Sequence, residues 1–230
     1  VDHGLADVEH RDVVARQHIG QRHGDAGPIG PDVTPAASPA SIRDASLEPV
    51  RGRVDPGSAY ESTRAPFEVR IDGEPVHFLL TSVLVLPGGS LSIEAPVGMG
   101  IRYAAGSILQ RGDGRWSWTA PEPPGAYAVR VEGDDGHTVD LVAFVLHPRG
   151  RARGGVLGGY RIGSYRDTPL GGRPEYLPPV GFIEVASVDE DIRVSPSVTL
   201  GEILCKQPGD PRYATFTPAL LDKLETVLEA

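Results

Sequence analysis

Between Pro66 and Pro148 the chain is written in short alternating runs, and this pattern constrains the fold more than any other feature. Phe67-Glu-Val-Arg-Ile71 and Ser90-Leu-Ser-Ile-Glu94 each alternate apolar with polar residues, and Tyr127-Ala-Val-Arg-Val131 sets a large apolar side chain at every second position. A period of two is that of a strand with one buried face. Turn signals separate the runs: Asp72-Gly73, Pro87-Gly-Gly89, Arg111-Gly-Asp-Gly-Arg115 and Pro123-Pro-Gly125. The sequence contains 29 glycines, 22 prolines and only 6% aromatic residues, which favours many turns and short strands over a helical bundle. The expected fold is therefore mainly β. About six or seven strands over residues 65–148 are predicted to form an immunoglobulin-like β-sandwich, with Ile101–Leu109 as one strand and Thr138–Pro148 as the last.

Trp116 and Trp118 stand two apart in this region, so a strand places both indoles on one face. Such a pair either stacks on a carbohydrate ligand or fills the core between the sheets. These two are the candidate ligand-binding residues.

The flanks read differently. Residues 1–64 lack a sustained apolar period, and their Pro-, Ala-, Ser- and Asp-rich part predicts a disordered or linker segment. His18 and His23 could both donate imidazole to a metal, but no surrounding fold preorganises them, and no metal site is assigned. Arg149-Gly-Arg-Ala-Arg-Gly-Gly155 reads as a solvated basic linker, with contact to anionic wall polymer or lipid as the alternative. Tyr160–Tyr165 and Pro174–Val185 predict an extended strap ordered more by packing than by hydrogen-bond ladders. Two short helices close the chain. The first has Ser197 or Thr199 as its cap, with Glu202 three after Thr199 as in a capping box; the second has Thr217 as cap, Pro218 at the first helical position and a stripe of Leu220, Leu221, Leu224, Val227 and Leu228.

Composition narrows the function classes. A formal net charge of −9 repels a phosphate backbone, and no stretch interleaves basic residues with stacking aromatics, so nucleic acid is not an expected partner. The apolar run Phe78–Leu86 is far shorter than the roughly 20 residues of a transmembrane helix. The first residues, Val1-Asp-His-Gly-Leu-Ala-Asp7, carry neither the positive nor the apolar region of a secretory signal. The single cysteine, Cys205, permits no internal disulfide and is expected as a buried, inert thiol.

Four pieces of the tail occur in a telling order: Tyr160-Arg-Ile-Gly163, Gly181-Phe-Ile-Glu-Val185, Val194-Ser-Pro196 with Leu204-Cys-Lys-Gln207, and Leu220-Leu-Asp-Lys-Leu-Glu225. Over residues 160–230 this order resembles the entry segment of bacterial zinc D-alanyl-D-alanine carboxypeptidases of the hedgehog-like fold, with the upstream sandwich resembling an accessory β-domain. One departure is Ser197-Val198, where close relatives would carry His-Phe.

The resemblance implies a periplasmic or extracellular protein that meets peptidoglycan. In that family a Ser-x-His-x-x-Gly-x-Ala-x-Asp segment and a later histidine hold zinc, and a glutamate acts as general base. None of this is written here: His77, His137 and His147 fall on predicted strands outside any such motif, and no histidine follows His147. No catalytic, metal or cofactor residue is therefore assigned, and zinc is expected only in a full-length relative. The expectation is a non-catalytic, truncated front portion of a D,D-peptidase-like protein, with residues 149–230 as a linker plus an incomplete peptidase-like part. Its C-terminal helix then needs a downstream domain. The alternative is a stand-alone sandwich that binds glycan or protein.

Overall fold

The computed structural model describes residues 41–52, 63–163, 165 and 177–229. The histidines of the first 23 residues and most of the expected N-terminal linker lie outside them. Alternation and turn chemistry give ten strands up to Val145: β1 (Ile42–Arg43), β2 (Arg64–Ile71), β3 (Glu74–Phe78), β4 (Leu80–Val85), β5 (Ser90–Glu94), β6 (Gly100–Tyr103), β7 (Ser107–Gly112), β8 (Arg115–Thr119), β9 (Gly125–Glu132) and β10 (Thr138–Val145). They form two five-stranded sheets, ordered β1-β6-β9-β10-β4 and β3-β2-β5-β8-β7. Most pairs are antiparallel, but β4 runs parallel to β10 and β1 parallel to β6.

Three expectations are corrected here. Ile101–Leu109 is two strands in different sheets, because the chain crosses over at Ala104–Gly106. Gly106 has a φ of +86° and lies against the Thr119 carbonyl, where a side chain would collide. Nine strands rather than six or seven fall between Arg64 and Val145. Residues 41–52, assigned to the linker, are placed: β1 edges a sheet, Leu47 is buried, and Arg51 bridges to Ile192 while its guanidinium meets Asp191 at 2.5 Å.

The first core lies between the sheets. Val69, Ile93, Trp116 and Trp118 from one sheet meet Ile101, Val131, Val139 and Leu141 from the other.

A second core covers the outer face of the β4–β10 pair. Successive residues of β10 point to opposite faces, so Val139, Leu141, Ala143 and Val145 enter the first core while Val142 and Phe144 enter the second. The run Leu141–Val145 is buried at every position. That is the signature of a strand covered on both sides.

The cover is the tail: β11 (His147–Pro148), a 3-10 turn at Arg149–Arg151, β12 (Val156–Leu157), β13 (Tyr160–Arg161), β14 (Gly181–Val185), a 3-10 turn at Ser187–Asp189, α1 (Leu200–Ile203), β15 (Arg212–Ala214) and α2 (Pro218–Leu228). Ile183, Val185, Ile192, Val194, Leu200 and Leu221 pack on Leu80, Phe144 and Leu146. At about 1.5–3 kcal/mol per buried large apolar side chain, this interface is a core in its own right.

The strap is a correction as well. Gly181–Val185 is the centre of the three-stranded sheet β11-β14-β15, hydrogen-bonded on both sides. The basic linker is also more ordered than its composition suggests. Gly154-Gly155 and Gly158-Gly159 all have φ between 54° and 87°. Each pair supplies the two left-handed positions of a two-residue hairpin, first between Arg153 and Val156, then between Leu157 and Tyr160.

Candidate functional site

The two tryptophans come from β8, whose alternation turns both indoles inward. Trp116 is 1% exposed and Trp118 0%. Neither presents a ring face to solvent, so the stacking reading is withdrawn and the core reading stands. Trp118 Nε1 donates to the Ala105 carbonyl at 2.9 Å. Trp116 Nε1 has no hydrogen-bond partner among the described residues.

The histidines separate. His77 lies on exposed β3, and His137 sits in the β9–β10 turn rather than on a strand, 2.8 Å from Asp135. His147 begins β11 and joins a network that no sequence motif announces. Register in the β11-β14-β15 sheet sets Glu184 opposite Tyr213 and His147 opposite Phe182. The Tyr213 hydroxyl donates to Glu184 Oε2 at 2.7 Å, and His147 Nε2 lies 2.9 Å from that same oxygen. Burial, reinforced by the Glu184 carboxylate, pushes the Tyr213 phenol up to about 12. It is thus a neutral donor at ordinary pH.

Tyr213 also walls an open cleft of about 370 Å³ with Tyr160, Phe182, Arg161, Gln207 and Cys205. Its apolar floor follows from local sequence: the second glycine turn aims Leu157 and Tyr160 at Phe182 and Tyr213. Cys205 is exposed here, which corrects the expected buried thiol. Because Leu204 leaves the helix at its C-cap with a ψ of 142°, the chain straightens and Cys205 swings outward. Among the described residues, no base is hydrogen-bonded to Cys205. The cleft can hold a flat or apolar group between aromatic walls and offer it a guanidinium and an amide; among the described residues it does not bring a nucleophile and a base together.

A second polar constellation lies beneath α2. Glu225 is 1% exposed, and its Oε1 accepts from Ser195 Oγ at 2.5 Å and from the Ser197 backbone N–H at 2.7 Å. Burial pushes the nearby Asp222 carboxyl up, with Glu225 adding to the effect and His77 opposing it. Ser82 on β4 donates to the Val194 carbonyl at 2.6 Å. Ser195-Pro-Ser197 is thereby clamped between sandwich and helix. No group of three or more His, Cys, Asp or Glu suited to a metal ion occurs among the described residues.

The α2 stripe is split. Leu221 is buried, whereas Leu220, Leu224, Val227 and Leu228 are 39% to 71% exposed. Compared with protein families, curated proteins and solved structures, the chain shows no match.

Proposed function

We propose that this chain is a non-catalytic positioning unit of a zinc D,D-carboxypeptidase-like cell-wall protein, working in the periplasm or outside the cell. The observation that carries this reading is the second core. Gly181–Val185, Val194-Ser-Pro196 and α2, which hold the resemblance, are fixed to the outer face of β4 and β10 by packing and by the Ser195–Glu225 bond. A unit so joined sets the direction in which a peptidase-like domain faces its substrate. The exposed leucines of α2 are a surface such a domain would cover. The two facing sheets, with β4 parallel to β10 at one edge, support reading residues 65–148 as an immunoglobulin-like sandwich.

The aromatic cleft favours a second reading, in which the chain is a binding module for glycan or protein.

Release of D-alanine from a muropeptide ending in D-Ala-D-Ala tests the first. The chain alone, with added zinc, is expected to release none. Fused ahead of a zinc D,D-carboxypeptidase domain, it should raise that domain's turnover on whole sacculi and leave turnover on a soluble muropeptide unchanged. Release by the chain alone, or no gain on sacculi, overturns the proposal.

A further inference from the structure

Charge is segregated on this protein. The formal net charge is −9. Yet residues 146–163 include Arg149, Arg151, Arg153 and Arg161 and neither aspartate nor glutamate. Elsewhere the arginines are mostly engaged: Arg51, Arg64, Arg70, Arg102, Arg130 and Arg212 all form ion pairs. Arg151, Arg153 and Arg161 are exposed and have no ion pair to a described residue.

The tandem glycine turns array these cations. Arg153 faces Val156 across the first turn, and Val156 faces Arg161 across the second. Residues directly opposite in an antiparallel ladder share a face, about 4.5–5.5 Å apart at Cβ. Arg153, Val156 and Arg161 therefore make one exposed row, while Leu157 and Tyr160 on the reverse are buried.

Apolar surface lies beside the row. Leu86, Val156, Tyr165 and Val180 are 36% to 64% exposed. Leu86, Tyr165 and Val180 line, with Arg149 and the first glycine turn, an open concavity of about 800 Å³. Arg151 and Arg153 are the chain neighbours of Ala152 in its wall, and Arg161, next to Ile162, lines with Tyr165 the adjoining aromatic cleft.

We infer that this face docks on an anionic phospholipid surface. Guanidinium groups on a glycine-built ribbon reach lipid phosphates, and the exposed Leu, Val and Tyr side chains enter the headgroup layer. Beyond a Debye length of roughly 8 Å the acidic remainder of the chain is screened from that surface at physiological salt. A soluble polyanion would engage the arginines but leave the apolar side chains in water, which is why lipid is the better fit.

Vesicle co-sedimentation of the whole chain tests the inference, comparing phosphatidylglycerol-containing vesicles with pure phosphatidylcholine. Binding should require the anionic lipid and weaken with salt. Each arginine near such a surface is worth about fivefold in partitioning, so Arg151→Gln with Arg153→Gln and Arg161→Gln should weaken binding about 100-fold. Arg111→Gln with Arg115→Gln, on the strand ends that flank the β7–β8 turn, should leave it unchanged. Val156→Ser with Val180→Ser should weaken binding without altering its salt dependence. An unaltered thermal melt will show that each variant is folded. Equal partitioning on neutral vesicles, no partitioning on either, an unaffected triple variant, or binding to soluble polyphosphate alone overturns the inference.

Discussion

Ser195 Oγ donates to Glu225 Oε1 at 2.5 Å, joining the loop before α1 to the middle of α2 inside the protein. The carboxylate is 1% exposed, and its other oxygen has no partner among the described residues. A buried charge is tolerable only while it is hydrogen-bonded, so this contact stabilises chiefly through the cost of breaking it. Ser195→Ala should destabilise by about 1.5–3 kcal/mol, the range for a hydrogen bond to a charged group. Glu225→Ala should cost at least as much, since it orphans both the hydroxyl and the Ser197 N–H. The double variant should fall short of the sum, which urea denaturation of all four proteins will measure.

The two core tryptophans should respond unequally to the same substitution. Both lie between the sheets, but among the described residues only Trp118 finds a partner for its indole N–H, the Ala105 carbonyl. Trp118→Phe should be more destabilising than Trp116→Phe by about 0.5–1.5 kcal/mol, the usual net worth of one hydrogen bond. Equal urea midpoints would mean that the Ala105 bond contributes nothing.

Where the chemistry was local, the sequence told most of the story. Asp72-Gly73 forms the turn between β2 and β3, and Thr199 and Glu202 form the capping pair, with Thr199 N–H donating to Glu202 at 2.9 Å. The alternating runs became strands with the expected faces. The second core had a signal too: Leu141-Val-Ala-Phe-Val-Leu146 lacks the polar residues of a solvated face, and only a strand covered on both sides can afford that. Arg149–Gly155 reads as a linker in the sequence because a glycine pair permits a left-handed turn without requiring one, and two-residue flanks carry no period. The His147–Glu184–Tyr213 network could not be read, since its members are 29 or more residues apart and meet only through sheet register.

Tyr213 makes the protein sensitive to alkali. Its phenol titrates near 10 when unfolded and is pushed up to about 12 in the fold, so between these values the unfolded state sheds a proton that the folded state keeps. The stability it lends is intact below pH about 10 and is lost as pH rises towards about 12. Tyr213→Phe should flatten that part of the alkaline stability curve, and tyrosinate absorbance should show one late-titrating tyrosine fewer. Parallel curves for the two proteins would count against the assignment.

The glycine pairs should differ in tolerance. Alanine at Gly154 meets no atom within 4 Å and strains only a φ of +57°, at a cost of about 1–2 kcal/mol. At Gly158 the φ is +54°, but a Cβ would also lie 2.5 Å from the Tyr213 hydroxyl. Gly158→Ala should therefore lower the melting temperature more than Gly154→Ala and disturb the Tyr213–Glu184 bond. The same late tyrosine titration reports it, and should shift only in the Gly158 variant.

Because β10 gives alternate side chains to two cores, the cores should not unfold separately. Trp116 and Trp118 report on the inner one, while Phe144 belongs to the outer and packs edge-on to Phe216 at 6.0 Å. Phe144→Ala should cost about 3–5 kcal/mol, the range for emptying a buried aromatic site. If the shared strand couples the layers, tryptophan fluorescence and far-UV dichroism will move together to a lower urea midpoint, although no tryptophan touches the outer core. If the tail merely leans on the sandwich, dichroism from the tail will be lost first and the tryptophan transition will stay where it was. Coincident transitions also bear on the proposed positioning role. A unit that directs a neighbouring domain must transmit orientation from the Ser195–Glu225 bond to the sandwich without yielding, and β10, with its neighbour β4, is shared by both cores.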